Sequence, residues 1–441
     1  MNTAEQMIKT AWFRHDRFGM FIHWGLYSVG ASGEWAYSDE CTSEETYDRY
    51  FKMFDPVDYN PREWIREAKR AGMRYAVMTA KHNDGFCLFD SEYTDYKSTN
   101  TRASRDLIRE FVEACHEENF KVGLFYSLID WHHPDYPHYG DKYHPRRNDP
   151  KERKLEKNRD FSRYIEYMHN QVRELCTNYG KIDIMWFDFS YDEMTGEKWH
   201  ATELINTVKS LQPDILVNNR LEGNSDYQGS ILFNDPAPYA GDFICPEQII
   251  PPHALVNQKG DPVPWETCVS MNNHFGYHAH DYAWKDPKLI IRKLVECVSK
   301  NGNLLLDVGP DARGNFPKEA IHILHFIGEW LQKNGESIYG CSSSFLPKPE
   351  WGWYTQAERR LYAHVLESNI GPLAMDGLKG KVESMRILST GTDVPLREWK
   401  GTAQYGNYLF VSLGGNIAER SSAIYPLPDD SDTVIEIILK N

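Results

Sequence analysis

The stretch that decides the fold is Ile182-Asp183-Ile184-Met185-Trp186-Phe187-Asp188, an apolar run that ends in an aromatic residue and a carboxylate. A parallel strand that is buried on both faces shows no alternation of polar and apolar residues. In a barrel of such strands, the residue at the carboxyl end faces the active site. Asp188 is therefore the first candidate for a catalytic nucleophile.

Similar runs alternate with helical patterns through the first three quarters of the chain. We predict strands at 18–24, 75–81, 121–127, 182–188, 214–219, 267–271 and 303–309, and helices at 61–72, 104–115, 153–178, 199–211, 288–300 and 318–333. Strand and helix units in this order form a parallel sheet with right-handed crossovers. Polar residues end many different strands, which favours a barrel over a doubly wound sheet, and no glycine-rich nucleotide motif is present.

The pattern of the sequence changes after Gly340, where prolines and short segments of alternating polar and apolar residues replace the helical pattern. Such segments are typical of antiparallel strands. The chain is therefore predicted to be an α/β protein with a (β/α)8-like, TIM-type barrel at 1–345, followed by a C-terminal β-sandwich at 346–441.

Composition excludes several classes of function. The net charge of −15 repels phosphate backbones, so nucleic acid is not an expected partner. No segment approaches a membrane span, and the first eleven residues carry no apolar signal region. The eight cysteines form no CxxC pair and are interpreted as reduced core thiols, so we expect a cytoplasmic protein.

Retaining hydrolysis of a glycosidic bond needs two carboxyl groups roughly 5 Å apart. Asp188 fits the nucleophile by its position. The acid/base is left open between Glu247, in a proline-flanked loop, and Glu266, at the mouth of the next strand. His23 and His82 end apolar runs, where each is either a core histidine or a ligand of the site. Arg220 at a strand end would either pair with a structural carboxylate or hold the nucleophile ionised.

Two histidine-rich segments invite a metal hypothesis. Prolines interrupt the segment from Asp130 to His144, and its side chains have no recognised ligand spacing. The His278-Ala279-His280 sequence lies late in a loop, without the lysine and aspartate expected at earlier strand ends of metal-dependent barrel hydrolases. We expect no metal and no cofactor.

Taken together, the motifs resemble those of the retaining α-L-fucosidases of glycoside hydrolase family 29. They are Phe18-Gly-Met-Phe-Ile-His-Trp-Gly25, Gly33-Glu-Trp35, Ala80-Lys-His-Asn-Asp-Gly-Phe86, Gly123-Leu-Phe-Tyr-Ser127, Met185-Trp-Phe-Asp188, Val217-Asn-Asn-Arg220, Trp265-Glu266, Phe275-Gly-Tyr277 and Asn301-Gly-Asn-Leu-Leu-Leu-Asp-Val-Gly-Pro310. They span most of residues 10–340, in order.

The resemblance implies double displacement with Asp188 as nucleophile and Glu247 as acid/base, with Glu266 as the fallback. It also implies a set of residues that line the sugar subsite: His23, Glu34, Trp35, His82, Asn83, Tyr126, Trp186, Arg220, Trp265 and Phe275. Phe275 would pack near the C6 methyl group, where an apolar wall favours a deoxy sugar.

One position departs from the family pattern, because Asn83 stands where a second histidine is usual. Asparagine forms hydrogen bonds but cannot carry a positive charge near neutral pH. The leading hypothesis is an exo-acting retaining α-L-fucosidase acting on fucosylated oligosaccharides or glycoconjugates, and a homo-oligomer is compatible with it. The alternatives are a retaining glycosidase for a related sugar such as an α-L-galactoside, a metal-dependent barrel hydrolase and a catalytically silent carbohydrate-binding barrel.

Overall fold

A computed structural model describes residues 3–223, 228–396, 404–413 and 426–440. The first seven strands are β1 Phe18–Ile22, β2 Tyr75–Lys81, β3 Lys121–Ser127, β4 Ile184–Asp188, β5 Leu216–Val217, β6 Trp265–Ser270 and β7 Gly302–Val308. The α-helices are α1 Thr3–Lys9, α2 Ala11–Asp16, α3 Tyr27–Gly30, α4 Ala36–Asp39, α5 Glu44–Met53, α6 Pro61–Arg70, α7 Leu107–Glu117, α8 Pro150–Leu155, α9 Phe161–Asn178, α10 Ala201–Leu211, α11 Pro287–Ser299 and α12 Lys318–Asn334.

The seven strands form one curled parallel sheet in the order β5-β4-β3-β2-β1-β7-β6. The gap between β5 and β6 is spanned by the bridging segment, which we define as residues 242–248. Its Phe243 forms a parallel bridge with Asn218 after β5, and its Ile244 and Glu247 form parallel bridges with Trp265 and Cys268 of β6. The barrel predicted from the sequence is thus confirmed, with this irregular segment in the place of an eighth strand.

Side-chain capping sets where the helices begin. Asn60 accepts a hydrogen bond from the Glu63 N–H at the start of α6, as its sequence indicates. The predicted start of α7 at Ser104 is wrong, because Asp106 caps the helix through the Arg109 N–H at 2.9 Å. The single helix predicted at 153–178 is two helices, and Asp160 caps the second.

Two apolar cores lie on the two faces of the barrel sheet. The core inside the barrel includes Phe21, Phe125, Trp186 and Phe243, whereas a larger core fills the space between the strands and the surrounding helices. No helix in the described part of the chain is long and apolar enough to cross a membrane.

The C-terminal region consists of antiparallel strands. They are β8 Ser342–Ser343, β9 Gly352–Ala357, β10 Arg360–Val365, β11 Leu373–Met375, β12 Val382–Ile387, β13 Leu409–Val411 and β14 Thr433–Leu439. A five-stranded sheet, β12-β14-β10-β9-β8, and the pair β11-β13 share one apolar core, as expected for a sandwich. Arg292 of α11 and Trp330 of α12 donate hydrogen bonds to the carbonyls of Ser431 and Asp432, so this region packs against the helix layer of the barrel.

Candidate active site

Three charged side chains meet at the carboxyl ends of β4 and β5. Asp188 is the last residue of β4, Arg220 follows β5, and Glu247 lies in the bridging segment. Arg220 Nη1 donates to Asp188 Oδ1 at 2.7 Å, and Nη2 donates to Glu247 Oε2 at 3.2 Å. The exposed fraction of the side chain is 10% for Asp188 and 30% for Glu247. One guanidinium therefore joins a buried carboxylate to a more accessible one.

The pKa of Asp188 is raised to about 6 as the balance of several opposing effects. Burial raises the pKa of Asp188, and the negative charge of Glu247 acts in the same direction. The positive charge of Arg220 and the backbone N–H of Phe189 act in the opposite direction and lower this pKa. Asp188 is thus largely ionised at pH 7 despite its burial, which a nucleophilic carboxylate requires.

Arg220 is held in place from several sides. Its Nε donates to the Cys245 carbonyl at 3.1 Å, and its own carbonyl accepts a hydrogen bond from Ser190 Oγ at 2.7 Å. The guanidinium also lies over the Trp186 ring, 5.0 Å from the centroid. Burial disfavours its charge, but Asp188 and Glu247 outweigh burial and raise the pKa of Arg220. The positive charge between the carboxylates is therefore permanent.

Two histidines form a neutral wall beside the carboxylates. His23 Nδ1 is 2.7 Å from Asp307 Oδ1, and both side chains are buried. Burial lowers the pKa of His23 to about 4 and holds the pKa of His82 well below its ordinary value. Both imidazoles are therefore uncharged near neutral pH, and Asp307 fixes the orientation of the His23 ring.

Aromatic rings pack around the side chains that we call the pocket, which are His23, His82, Asp188, Arg220 and Glu247. The His82 ring stacks on Phe125 with 5.4 Å between centroids, and Phe125 stacks on Trp186 at 5.5 Å. Phe275 lies 4.9 Å from the His23 ring. These faces present an apolar surface next to the hydrogen-bonding histidines, an arrangement that suits the mixed CH and OH surface of a sugar.

The loop that carries Phe275 is fixed by Glu34. Glu34 Oε2 accepts a hydrogen bond from the Gly276 N–H at 2.7 Å, and Glu34 is buried. The adjacent Trp35 ring lies 5.4 Å from both Phe189 and Tyr143. Glu34 thus joins two loops at the pocket, and Trp35 is half-buried in an aromatic cluster at its edge.

Asn83 lies fully buried after the end of β2. Its Oδ1 accepts a hydrogen bond from Ser127 Oγ at 2.8 Å, and its carbonyl accepts one from the Trp131 N–H. Asn83 Nδ2 has no hydrogen-bond partner within the described ranges. A buried amide donor without a partner carries a free-energy cost, which an acceptor on a bound molecule would remove.

Tyr126 does not line the pocket, in contrast to the expectation from its motif. Its hydroxyl donates to Gln171 Oε1 of α9 at 2.8 Å, and Lys81 Nζ lies 4.5 Å from its ring centroid. The side chain therefore points toward the helix layer. The neighbouring Phe125 points into the barrel instead, because successive residues of a strand face opposite sides.

The predicted role of Trp265 in binding is also wrong. β6 begins at Trp265, so both Trp265 and Glu266 lie at the amino end of the strand, not at its mouth. Trp265 Nε1 donates to the Lys300 carbonyl at 3.0 Å in the outer core. Glu266 is fully buried, and its two carboxylate oxygens accept hydrogen bonds from Tyr75 and Trp186 inside the barrel.

Two residues of the site were not predicted from the sequence, although both lie in recognised motifs. Asp307 ends the apolar run of β7 as Asp188 ends that of β4, and this position could have identified it. Phe125 lies directly before Tyr126, the residue that the motif predicts.

The histidine-rich segment is organised by ionic and stacking contacts. Asp130 is buried with Lys81, whose Nζ is 3.1 Å from Oδ2, and His132 stacks on Tyr96. Across the described residues there is no group of three or more histidine, cysteine, aspartate or glutamate side chains arranged to hold a metal ion.

Comparison of the sequence with known families and curated proteins gives consistent matches. The profile of the family described as Alpha-L-fucosidase matches residues 2–336. The α-L-fucosidase of Dictyostelium discoideum is 27% identical over 394 residues, which are 81% of this chain and 77% of that protein. The tissue α-L-fucosidase of Rattus norvegicus is 28% identical over 384 residues, which are 80% of this chain and 76% of that protein.

Solved structures are similar over nearly the whole chain. α-L-Fucosidase isoenzyme 1 from Paenibacillus thiaminolyticus has a TM-score of 0.93 and 52% identity, covering 99% of this chain and 100% of that one. A family 29 α-L-fucosidase from Bacteroides thetaiotaomicron, trapped as a covalent intermediate with 2-fluoro-fucosyl fluoride, has a TM-score of 0.81 and 27% identity, covering 100% of this chain and 97% of that one.

Proposed function

The chain belongs to the α-L-fucosidase family of glycoside hydrolases, family 29, and from this membership we propose that Asp188 and Glu247 hydrolyse terminal α-L-fucosyl linkages. The enzyme is a retaining α-L-fucosidase, in keeping with the covalent intermediate trapped in the Bacteroides relative. The observation that carries the residue assignment is the single guanidinium of Arg220 that joins the two carboxylates at the strand ends.

In the first step, an Asp188 oxygen attacks C1 of the fucosyl unit as the bond from C1 to the glycosidic oxygen breaks. Glu247 gives its proton to that departing oxygen. Arg220 is closer to Asp188, at 2.7 Å, than to Glu247, at 3.2 Å, so its positive charge stabilises the ionised nucleophile more strongly. The greater exposure of Glu247 also connects it to solvent.

In the second step, Glu247 takes a proton from water while the water oxygen attacks C1 and releases Asp188. The anomeric configuration is therefore inverted twice and retained overall. Arg220 remains between the carboxylates in both steps and stabilises whichever one is negatively charged.

The sugar pocket supports a neutral, partly apolar ligand. The uncharged imidazoles of His23 and His82 and the free Asn83 Nδ2 would bond to sugar hydroxyls. Phe275 and Phe125 supply apolar faces for the methyl group of a deoxy sugar. The natural substrate class we propose is a fucosylated oligosaccharide or glycoconjugate, cleaved at its terminal fucose.

Asn83 specifically favours a second candidate, a retaining glycosidase that prefers an α-L-galactoside. This sugar carries a hydroxyl on C6 in place of the hydrogen in fucose. The unpartnered Nδ2 of Asn83 is a donor that a histidine at this position would place differently.

A panel of aryl glycosides tests these proposals. We expect fast release from the α-L-fucoside, unaffected by a chelator, and slower release from the α-L-galactoside, β-D-galactoside and α-D-glucoside. Faster release from the α-L-galactoside would show that this sugar is the preferred substrate, and the proposed mechanism would still apply. Loss of activity with chelator would instead favour metal-dependent hydrolysis, and no release from any glycoside would contradict the proposed activity.

The role of Asp188 is tested separately with the Asp188→Ala variant. We expect turnover of the aryl fucoside to be abolished and azide to restore it, since a small anion can occupy the space of the missing carboxylate. Asp58→Ala is the matched control, because Asp58 is a surface carboxylate paired with Arg313. Unchanged turnover in Asp188→Ala would overturn the assignment.

We also propose a cytoplasmic location, which the free state of all eight cysteines supports. Export of the native protein, detected by fractionation of the producing cells, would refute it. The homo-oligomer remains a prediction from the sequence, to be tested by light scattering.

A further inference from the structure

Each of the two carboxylates is followed directly by a residue with a left-handed backbone. Phe189, after Asp188, has φ of 76°, and Gln248, after Glu247, has φ of 56°. Residues other than glycine rarely adopt positive φ, and for a bulky aromatic residue it is an outlier. Such conformations cost free energy and persist only where the surrounding structure fixes them.

Two other residues with positive φ lie where a left-handed turn is usual. Arg17 is the C-cap of α2, and Glu358 lies in the hairpin between β9 and β10. Phe189 and Gln248 end no helix and close no hairpin, since they follow β4 and the parallel bridges of the bridging segment. Each of them directly follows a carboxylate that contacts Arg220.

The turn at Phe189 connects Asp188 to its surroundings on both sides. The Asp188 carbonyl accepts a hydrogen bond from the Leu128 N–H at 2.9 Å, which holds the strand end. The Phe189 N–H turns back to the Asp188 carboxylate and lowers its pKa. One residue later, Ser190 Oγ donates to the Arg220 carbonyl at 2.7 Å. The left-handed turn therefore lets one short segment contact both partners of the ion pair.

The turn at Gln248 likewise attaches the chain next to Glu247 to its surroundings. The Gln248 N–H donates to the Cys268 carbonyl at 2.9 Å, and Gln248 Nε2 donates to Ser270 Oγ at 2.9 Å. Both bonds attach the chain to β6 immediately after Glu247. The Glu247 carboxylate is left facing Arg220 Nη2.

We infer that Phe189 and Gln248 are positioning residues, whose left-handed backbone aims the two catalytic carboxylates at Arg220. The inference rests on the proposed roles of Asp188 and Glu247. If it holds, the activity of a variant at position 189 or 248 depends on how readily the new residue adopts positive φ. It does not depend on the hydrogen bonds that the new side chain can form.

The test is a series at position 248 ordered by that tolerance. Gln248→Gly and Gln248→Asn accept positive φ, whereas Gln248→Val resists it, and Gly and Val both remove the bond to Ser270. We expect kcat within about threefold of wild type for Gly and Asn, and at least about tenfold lower for Val, most strongly with poor leaving groups, since these need protonation by Glu247. At position 189, Phe189→Gly and Phe189→Val should differ in the same sense with every substrate, because the nucleophile acts on all of them.

Glu358→Gly and Glu358→Val are the matched controls, and we expect them to change the melting temperature without changing kcat. If Gln248→Val does not fold, Gln248→Ala replaces it, with kcat expected below that of Gln248→Gly. Equal loss in Gly and in Val or Ala would assign the effect to the side chain and overturn the inference, as would wild-type activity in all of them. Failure of the residue assignment would instead appear in Asp188→Ala and Glu247→Ala, which are measured in the same series.

Discussion

Removing the charge of Arg220 should move the pH dependence of activity upward. Arg220 Nη1 lies 2.7 Å from Asp188 Oδ1 in a buried site. Unit charges about 4 Å apart attract each other by about 4 kcal/mol at an effective dielectric constant of about 20. At 1.36 kcal/mol per pKa unit, that is about three units. In Arg220→Met, the pKa of Asp188 should therefore rise from about 6 to about 9.

The sign follows from the nucleophile being the ionised form, so that activity rises as pH passes through the pKa of Asp188. At pH 7 the ionised fraction of Asp188 would fall from about nine tenths to about one hundredth, which predicts a loss of about 100-fold in kcat/KM. Arg220→Lys keeps a positive charge but loses the planar fork, so we expect a smaller upward shift.

The assay is kcat/KM for an aryl α-L-fucoside from pH 4 to 10, with circular dichroism of each variant to verify folding. Arg313→Met is the control, because Arg313 pairs with Asp58 at the surface. An acid limb that stays near pH 6 in folded Arg220→Met would refute the claim that Arg220 holds Asp188 ionised.

Three further predictions concern single side chains. Glu247→Ala should slow substrates with poor leaving groups far more than activated aryl fucosides, since only the former need protonation, and a uniform effect across leaving groups would exclude it as the acid. Burial raises the pKa of Glu266 from 4.5 to about 7, so wild type should lose about 3 kcal/mol of stability as pH rises through this range, whereas Glu266→Gln should not. Melting curves at several pH values check this, and a change in leaving-group dependence for Glu266→Gln would contradict its structural role. Asn83→His should change the ratio of kcat/KM for α-L-fucoside and α-L-galactoside by about tenfold, and an unchanged ratio would show that position 83 does not set the choice of sugar.

The sequence predicts the barrel well because its strands are long apolar runs with polar ends, as in β4. It predicts β5 poorly. The predicted strand at 214–219 is only Leu216–Val217 in the structure. Beyond Val217, side-chain hydrogen bonds take the place of the backbone hydrogen bonds between strands. Asn218 bonds both the N–H and the carbonyl of Phe187, and Asn219 Oδ1 accepts the Cys245 N–H. A single sequence does not reveal such substitution of backbone by side-chain hydrogen bonds.

Which residues of a strand face the pocket is the second limit. In β3 both faces are buried, so the run Lys121–Ser127 has no alternation that would separate Phe125 from Tyr126. The register is fixed by pairing, with Phe125 opposite Trp186 and Tyr126 opposite Phe187. Phe125 faces the barrel interior and the predicted Tyr126 faces the outer core, because a shift of one residue along a strand reverses the face.

Strand boundaries set the third limit. Trp265 and Glu266 were expected near the pocket, at the mouth of the strand predicted at 267–271. The strand begins at Trp265, which places both residues at its amino end. The earlier start follows from pairing with β7, in which Trp265 lies opposite Gly302, and the bridge from Ile244 to Trp265 adds to it.

The most direct test of the account is to identify the carboxylate that forms the glycosyl-enzyme intermediate. Glu247→Ala is reacted with 2-fluoro-fucosyl fluoride, whose fluoride leaves without protonation, and the digested protein is analysed by mass spectrometry. We predict one added 2-fluoro-fucosyl group, on the side chain of Asp188. A label on another carboxylate, or none on folded protein that binds the sugar, would contradict the central claim.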